Sequence, residues 1–212
     1  MLMDGIVERV GADTEVHGLD LNPHFIAVAR RRAEMAGYTN TVFAIGDCLG
    51  LPYGDQTFDA VAAERLLMHV NAIPDALNEI KRVLTVGGRA VFCDYDPYTS
   101  FAGGPDPNIT ARVMASAASI YAAPRAARET ARKCVDAGLY VEKVHGHLLV
   151  IEDPRAKTAT GIAANWAEHA IAGRQAPPDT ITRWRKAVER SMHDGTFLIA
   201  IPHIITIARR VS

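Results

Sequence analysis

The chain has few cysteines and no long apolar run. Its three cysteines, Cys48, Cys93 and Cys134, are widely spaced and include no Cys-x-x-Cys pair, which argues against a zinc site and fits a reduced, cytoplasmic setting. The longest apolar stretch, residues 197–208, is interrupted by a proline and a histidine. It is shorter than the about 20 residues that a membrane-spanning helix needs, so we expect no membrane span. The acidic residues near the start do not fit a signal peptide.

An excess of charge of one sign is also lacking. The chain has 23 basic and 24 acidic residues and a net charge of −1, so we expect no nucleic-acid partner. The one basic run, residues 30–32, falls in the last turns of a predicted helix, where cations suit the helix dipole. A length of 212 residues, of which 49% are hydrophobic, suits one domain with a sizeable core.

Strand-like and helix-like segments alternate along the chain, which is typical of an α/β fold with a parallel sheet. One helix is predicted to begin at Asn22-Pro23 and to end at Gly37. A second follows from the helical spacing of apolar residues over 73–84 and ends before Gly87-Gly88. The predicted strands of the first half are 16–20, 41–45, 58–63 and 89–95.

The second half begins with a loop rich in proline and glycine, at 96–108. It is followed by further predicted elements, in which Trp166 and Trp184 mark the last two helices. These elements are helices over 109–121 and 125–137, a strand over 140–151, the two tryptophan-marked helices, and a closing strand over 197–209.

Two strand ends carry carboxylates that fit the two halves of an adenosine-binding pocket. Residues 16–20 end at Asp20, and the next strand is followed by Asp47 and Cys48. Ligands of open α/β sheets bind beyond the carboxyl ends of the strands. We therefore expect Asp20 to accept both hydroxyls of a ribose and Asp47 to accept a proton from an adenine amino group, with the Cys48 N–H facing the ring. Strands lie about 4.8 Å apart, so two such carboxylates can match the dimensions of an adenosine.

Aspartates at strand ends also serve as helix caps and turn formers, so either segment alone is weak evidence. Together, and in this order, they resemble the class I S-adenosylmethionine-dependent methyltransferases, in particular the group that includes quinone-biosynthesis enzymes. The similarity is continuous over about residues 1–95 and only architectural beyond. It is carried by His17-Gly18-Leu19-Asp20-Leu21-Asn22-Pro23, Gly46-Asp47-Cys48, Leu51-Pro52-Tyr53, Phe58-Asp59-Ala60-Val61, Glu64-Arg65-Leu66-Leu67-Met68-His69-Val70, Glu79-Ile80-Lys81-Arg82-Val83-Leu84 and Gly87-Gly88-Arg89.

The resemblance implies one domain over residues 1–212, with a cofactor-binding half at 1–95 and substrate-side helices and terminal strands at 96–212. The implied fold is a Rossmann-like, mostly parallel sheet with flanking helices and an antiparallel C-terminal strand. The implied activity is methyl transfer from S-adenosylmethionine to a small-molecule acceptor. The partners are therefore a small-molecule substrate and, if the chain forms a homodimer, a second copy.

The same resemblance implies the cofactor-binding residues. Asp20 would hold the ribose, Asp47 and Cys48 the adenine, and Leu21 would pack on the ring. Glu64 and Arg65, just after the third strand, would lie near the methionine end of the cofactor, although Arg65 also fits a plain surface position. No catalytic residue and no metal ligand stands out.

The family opens with an apolar strand and a Gly-x-Gly-x-Gly loop, and nothing before Val16 supplies them. That strand would lie between the strand ending at Asp20 and the one ending near Ala63. Its absence exposes two strand edges or forces them to pair directly. The favoured explanation is a true start upstream of Met1. The alternatives are a strand from a partner chain and a degenerate, non-catalytic relative that acts as a binding or assembly subunit.

The acceptor is expected to enter over the loop after the fourth strand. Candidate lining residues are Tyr95, Tyr98, Phe101 and Tyr121, for which ordinary packing is an equal interpretation, and His69 is expected to pack or to donate a hydrogen bond. The acceptor atom stays open.

Two other interpretations are weaker. His145 and His147 share one strand face, but no third metal ligand is evident. A nucleotide-dependent oxidoreductase would need a Tyr-x-x-x-Lys motif, whereas Tyr121 is followed by Arg125.

Overall fold

Two β-sheets flanked by helices make up the structure. The computed structural model describes residues 2–153, 155 and 157–212. The helices are α1 (Leu2–Val10), α2 (Pro23–Ala36), α3 (Ile73–Val83), α4 (Pro107–Ala118), α5 (Ala126–Asp136), α6 (Lys157–Gly173) and α7 (Pro178–His193). The strands are β1 (Val16–Asp20), β2 (Thr41–Ile45), β3 (Phe58–Glu64), β4 (Leu84–Tyr95), β5 (Phe101–Ala102), β6 (Leu139–Ile151) and β7 (Ile199–Arg210). A short 3₁₀ turn covers Leu67–His69.

The strand order confirms the α/β prediction. Strands β1 and β2 form a parallel pair, and β3 pairs in parallel with β4. Strand β7 is antiparallel to β4, to β5 and to β6. The second sheet is therefore mixed, and its antiparallel part is built around the last strand of the chain.

The predicted boundaries hold to within a few residues except at two places. Strand β4 begins at Leu84 instead of Arg89, because the chain passes directly from α3 into the strand through Gly87, whose φ is +87°. The register of the β3–β4 pairing shifts opposite this glycine, between Phe58 and Ala60 of β3. The Gly87-Gly88 pair therefore forms an irregularity inside a strand and does not precede one. The predicted loop over 96–108 contains the short strand β5 and the first turn of α4.

Strands β1 and β3 each have an unpaired edge. Among the residues that the structure describes, β1 hydrogen-bonds only to β2 and β3 only to β4. The two edges are therefore exposed and not paired directly with each other, which is one of the two outcomes expected without the family's first strand. Ala60 and Ala62 in the middle of β3 are exposed as a result.

Three aromatic rings connect the two sheets. His17 near the start of β1 lies 5.2 Å from Phe58 at the start of β3, and Tyr53 packs edge-on against both rings at 5.4 and 4.8 Å between centroids. The amino ends of β1 and β3 therefore meet. Their carboxyl ends, where open α/β sheets bind ligands, lie away from this junction.

The loop that carries Tyr53 is fixed to α3 by an ion-paired arginine. Arg82 donates to Glu79 at 2.7 Å, to Asp55 at 2.9 Å, and to the carbonyls of Tyr53 and Leu51 at 2.8 and 3.1 Å. Glu79 in turn accepts the Leu51 N–H at 2.7 Å. The hydrogen bond from Arg82 lowers the pKa of Glu79, so the pair stays charged at neutral pH. This network defines the path of the chain between β2 and β3.

Two apolar clusters cover the second sheet. The first packs α4, α6 and α7 on β5 and β7, with Trp166 and Trp184 at its centre. The second packs α3, α5 and the 3₁₀ turn on β3 and β4, around Leu77 and Phe92. Tyr95, at the end of β4, contacts both clusters.

Ser116 of α4 joins that helix to the end of α6. Its buried hydroxyl donates to the carbonyl of Ala170 at 2.7 Å and accepts the N–H groups of Gln175 and Ala176 at 3.0 and 3.1 Å. It thereby satisfies polar groups beyond the end of α6 that would otherwise be buried without a partner.

One buried carboxylate lacks partners. Asp94 of β4 is 2% exposed, and neither of its carboxylate oxygens has a hydrogen-bond partner in the described structure. Burial raises its pKa from 3.8 to about 6, although the nearby amides of Met68 and Leu67 and the charge of Arg65 act in the opposite direction.

We predict that Ser116→Ala lowers the free energy of unfolding by about 1–3 kcal/mol, because the buried amide of Ala176 and the partly buried amide of Gln175 lose their acceptor. Chemical denaturation measures the change. The control is Ser119→Ala, whose half-buried hydroxyl donates only to carbonyls of a helix end and should cost less. Equal losses in both variants would contradict this role for Ser116.

We also predict that Asp94→Asn removes a pH-dependent loss of stability. The folded state binds the Asp94 proton more tightly than the unfolded state, so stability falls as pH rises from the unfolded pKa through the folded one. A pKa rise from 3.8 to about 6 corresponds to about 3 kcal/mol, at about 1.4 kcal/mol per unit. The variant should match the wild type near about pH 4 and exceed it by up to this amount near about pH 8. Urea titrations at both pH values test this, with the exposed Asp59→Asn as control; a difference that is independent of pH would be the wrong outcome.

Candidate functional site

Both strand-end aspartates form turns. Oδ1 of Asp20 accepts the N–H of Asn22 at 2.8 Å, and Oδ1 of Asp47 accepts the N–H of Leu49 at 2.9 Å. The Asp47 carboxylate also accepts a hydrogen bond from the Cys48 thiol, whereas the second oxygen of Asp20 has no hydrogen bond or ion pair within the described residues. The turn-forming interpretation is therefore correct, but it is compatible with binding, since an ionised carboxylate accepts at both oxygens.

The two aspartates lie in the turns that follow the paired strands β1 and β2. The N–H of Gly46 donates to the carbonyl of Asp20 at 3.1 Å, which continues the β1–β2 pairing past the ends of the strands. A Cβ on Gly46 would lie 2.7 Å from Cδ1 of Leu19. A side chain at position 46 would therefore require the Leu19 side chain to move, so glycine lets the two strand ends pack closely.

Leu21 and Cys48 flank the aspartates. Leu21 is 69% exposed, as a side chain that packs on a ligand ring would be. Cys48 is half-buried and packs against the second apolar cluster. Burial and the charge of Asp47 raise the pKa of the Cys48 thiol, which therefore stays neutral.

Glu64 and Arg65 lie at the carboxyl end of β3, and both are exposed. Arg65 adopts a left-handed backbone with φ of +51°, and its N–H donates to the carbonyl of Cys93 at 2.8 Å. Since left-handed backbone is uncommon for residues other than glycine, the chain turns sharply here. No ion pair to the Arg65 guanidinium is found in the described part of the chain.

A group of tyrosines and histidines, the tyrosine–histidine cluster, lies beside Arg65. The hydroxyls of Tyr95 and Tyr121 are 2.5 Å apart, and the Tyr121 hydroxyl is 3.2 Å from Nδ1 of His169. The ring of His69 contacts that of Tyr121 at 5.3 Å, and the ring of His203 lies 6.2 Å from that of Tyr95. The cluster therefore joins the 3₁₀ turn, β4, the α4–α5 connection, α6 and β7.

Burial keeps the cluster uncharged at neutral pH. It lowers the pKa of His69, His169 and His203 and raises the pKa of Tyr95 and Tyr121. The positive charge of Arg65 opposes the rise at both tyrosines and adds to the lowering at His69 and His203.

The structure separates the four predicted lining residues. It brings Tyr95 and Tyr121 together but places Tyr98 under the guanidinium of Arg128, at 5.7 Å, and Phe101 in β5. His69 contacts Tyr121 as expected of a packing residue. Sequence reasoning missed His169 and His203, which come from distant elements and share no motif with the tyrosines.

One apolar cluster contacts residues from both places. Cys48 and Leu51, which follow β2, contact the same cluster as Tyr95 and Tyr121. The turn after β2 therefore packs on the same core as part of the tyrosine–histidine cluster.

A metal centre and a membrane-spanning helix are both lacking in the described structure, and a concave surface lies away from these residues. Within residues 2–153, 155 and 157–212, no three His, Cys, Asp or Glu side chains are grouped as metal ligands, and no helix is long and apolar enough to cross a bilayer. A concave surface of about 370 Å³ lies between the start of α4 and α7, lined in part by Arg183, Lys186 and Arg190. None of the predicted site residues lines it.

Similar proteins share both the sequence and the fold. The protein named 2-phytyl-1,4-naphtoquinone methyltransferase, from Thermosynechococcus vestitus, is 38% identical over 96 residues, which are 45% of this chain and 42% of that protein. The chain thus matches less than half of the length of this relative.

Two solved structures extend the fold similarity to nearly the whole chain. Geranyl diphosphate C-methyltransferase from Streptomyces coelicolor, solved with Mg²⁺, geranyl diphosphate and S-adenosyl-L-homocysteine, has a TM-score of 0.57 at 20% identity, covering 99% of this chain and 68% of that one. The [4+2]-cyclase SpnF has a TM-score of 0.55 at 21% identity, covering 97% and 70%. At these identities only the fold is shared, and one of the two is a cyclase by name.

The family described as "Methyltransferase domain" matches residues 3–167. This range includes every predicted cofactor residue and three members of the tyrosine–histidine cluster, namely His69, Tyr95 and Tyr121. This match covers more than half of the chain. The chain therefore belongs to the methyltransferase-domain family.

Proposed function

We propose that the chain binds S-adenosylmethionine and transfers its methyl group to a small-molecule acceptor. The observation that carries this proposal is the pair of strand-end carboxylates, Asp20 and Asp47. Each accepts a turn N–H through Oδ1. Asp20 keeps its second oxygen free among the described residues, and the Asp47 carboxylate also accepts from the Cys48 thiol. An adenosine needs acceptors of this kind for its ribose hydroxyls and its amino group.

In this proposal, Asp20 accepts from the ribose, Leu21 covers one face of the adenine, and Asp47 and the Cys48 amide contact its edge. Glu64 and Arg65 lie toward the methionine part. When bound, the cofactor would supply its methyl group to the nucleophilic atom of the acceptor, and its sulfur would keep the electron pair of the broken bond. The sulfonium is already activated, so the protein contributes mainly alignment and a dry environment.

We propose a ring-shaped, weakly acidic acceptor of the quinone-derived type. Support comes from the name of the 38% identical relative and from the aromatic lining that Tyr95 and Tyr121 offer at the carboxyl end of β4. Aromatic edges and faces suit both a flat acceptor and a passing sulfonium.

A non-catalytic role as a binding or assembly subunit is the second candidate. The unpaired edges of β1 and β3 favour it, because an added strand from elsewhere would pair with both. A cofactor titration separates the two candidates, since an assembly subunit has no need to bind S-adenosylhomocysteine.

We further propose that residues 1–212 form one domain, with a cofactor half at 1–95 and an acceptor half at 96–212. The three cysteines are free, which supports a reduced, cytoplasmic setting. The exposed outer strand β6 is the surface through which a homodimer would form, and the balanced charge supports the absence of a nucleic-acid partner.

We predict that Asp20→Asn weakens the binding of S-adenosylhomocysteine by about tenfold or more, because a hydrogen bond to a charged group contributes about 1.5–3 kcal/mol. Asparagine keeps an oxygen that can accept the Asn22 N–H, so the turn is preserved. Isothermal titration calorimetry measures the change, with Asp59→Asn as the matched control on the exposed face of β3. Unaltered affinity in the Asp20 variant would refute its role, and a folded wild type that does not bind would favour the assembly subunit.

A further inference from the structure

The Tyr95 hydroxyl ends a hydrogen-bonded chain of three side chains. It contacts the Tyr121 hydroxyl at 2.5 Å, which contacts Nδ1 of His169 at 3.2 Å. A tyrosine oxygen donates once and can accept twice. In the described structure Tyr121 is the one hydrogen-bond partner of the Tyr95 hydroxyl, so the Tyr95 oxygen can still accept a proton donor.

A relay toward His169 requires the tautomer of neutral His169 that carries its proton on Nε2. Nδ1 of His169 then accepts from Tyr121, and Tyr121 accepts from Tyr95, since either hydroxyl of the tyrosine pair can be the donor.

The charge of Arg65 favours an anion at the start of this chain. The Arg65 N–H donates at 2.8 Å to the carbonyl of Cys93, which lies on β4 just before Tyr95. The guanidinium has no ion-pair partner among the residues described, and its charge acts to lower the pKa of Tyr95 and Tyr121. A cation beside a half-buried group stabilises a developing oxyanion more strongly than it would in water.

Of the groups that could take the proton, His169 has the best geometry. His69 and His203 contact the tyrosines only through their rings. Asp94 is buried under the 3₁₀ turn. His169 is joined to Tyr121 by a hydrogen bond, is partly exposed, and has only Glu168, Tyr121 and His69 as titratable neighbours that the structure records.

We propose that Arg65, Tyr95, Tyr121 and His169 form an oxyanion subsite that binds a weakly acidic hydroxyl of the acceptor, a phenol or an enol, and passes its proton to His169. This inference rests on the proposed function for its biological use, but the subsite is testable without the cofactor.

The step balances within the four groups and the acceptor. The acceptor O–H bond breaks as its proton moves to the Tyr95 oxygen. The Tyr95 proton moves to Tyr121, and the Tyr121 proton moves to Nδ1 of His169. The products are an acceptor oxyanion beside Arg65 and an imidazolium at His169, with both tyrosines neutral again. The oxyanion, or a carbon conjugated to it, is then the nucleophile for the methyl group.

The test uses 4-nitrophenol as the probe, because its phenolate absorbs visible light and its phenol does not. We expect the bound probe to ionise about tenfold more readily than the free probe, which is a shift of about one pKa unit. The shift is measured by absorbance titration of the probe against pH in the presence of excess protein.

Three variants locate the effect. Tyr121→Phe keeps the ring but removes the hydroxyl that couples Tyr95 to His169, His169→Gln keeps a polar group that cannot take the proton, and Arg65→Met removes the charge. Each should abolish most of the shift. Tyr140→Phe on β6 and His193→Gln at the end of α7 are the matched controls, which should leave the shift unchanged.

Absence of probe binding to the wild type, an unshifted ionisation of the bound probe, or a shift that survives in both Tyr121→Phe and His169→Gln would overturn the proposal. Melting curves of all variants exclude a loss of folding as the cause. The calorimetric titration with S-adenosylhomocysteine is independent: binding without a probe shift removes only the subsite, whereas a probe shift without binding removes only the methyltransferase activity.

Discussion

The backbone N–H and C=O groups of every strand need hydrogen-bond partners. By this measure the described structure has one part in which the strands are paired on both edges and another in which strand edges are left unpaired. Strand β7 pairs with β4, β5 and β6 and so completes most of the second sheet. Strands β1 and β3 each pair on one side only. The relation between the sheets therefore depends on side chains: the rings of His17, Tyr53 and Phe58, and the Arg82 network that fixes the loop between them.

The same constraint explains how the carboxyl edge becomes a site. When a strand ends, the next N–H groups lose their ladder partners, and an aspartate can accept one of them. This occurs after β1 and β2, and again after β4, where Asp96 accepts the N–H of Tyr98 at 3.1 Å. Such a turn holds a carboxylate rigidly at the edge. At Asp96 the second oxygen accepts from Arg128, whereas the second oxygen of Asp20 has no partner among the described residues and stays free for a ligand.

Local patterns were sufficient for several elements. The helix with Ile73, Leu77 and Ile80 occurs as predicted because its apolar spacing matches the core that it faces. The strands ending at Asp20 and Ile45 also occur as predicted, although they are only partly buried. Strand β4 starts earlier than expected because no loop separates it from α3. The helix ends at Val83, and the backbone is already extended at Leu84. His169 could not be assigned from sequence, since its role depends on where α6 lies over Tyr121, 48 positions away in the chain. The burial of Asp94 could not be predicted either, because nothing in the sequence of its strand distinguishes it from an exposed strand residue.

The position of β7 also governs how the molecule must assemble. Arg89 of β4 pairs with Arg209 of β7, and Leu139 of β6 pairs with Arg210, so the central pairings of the second sheet span long stretches of chain. Pairings between residues this far apart in the sequence form slowly. The chain entropy of closing the loop is lost before the pairing contributes any stabilising free energy. During synthesis β4 and β6 emerge from the ribosome before the strand that separates them. Their edges and the aromatic residues near them are then open to chaperones until the final residues arrive.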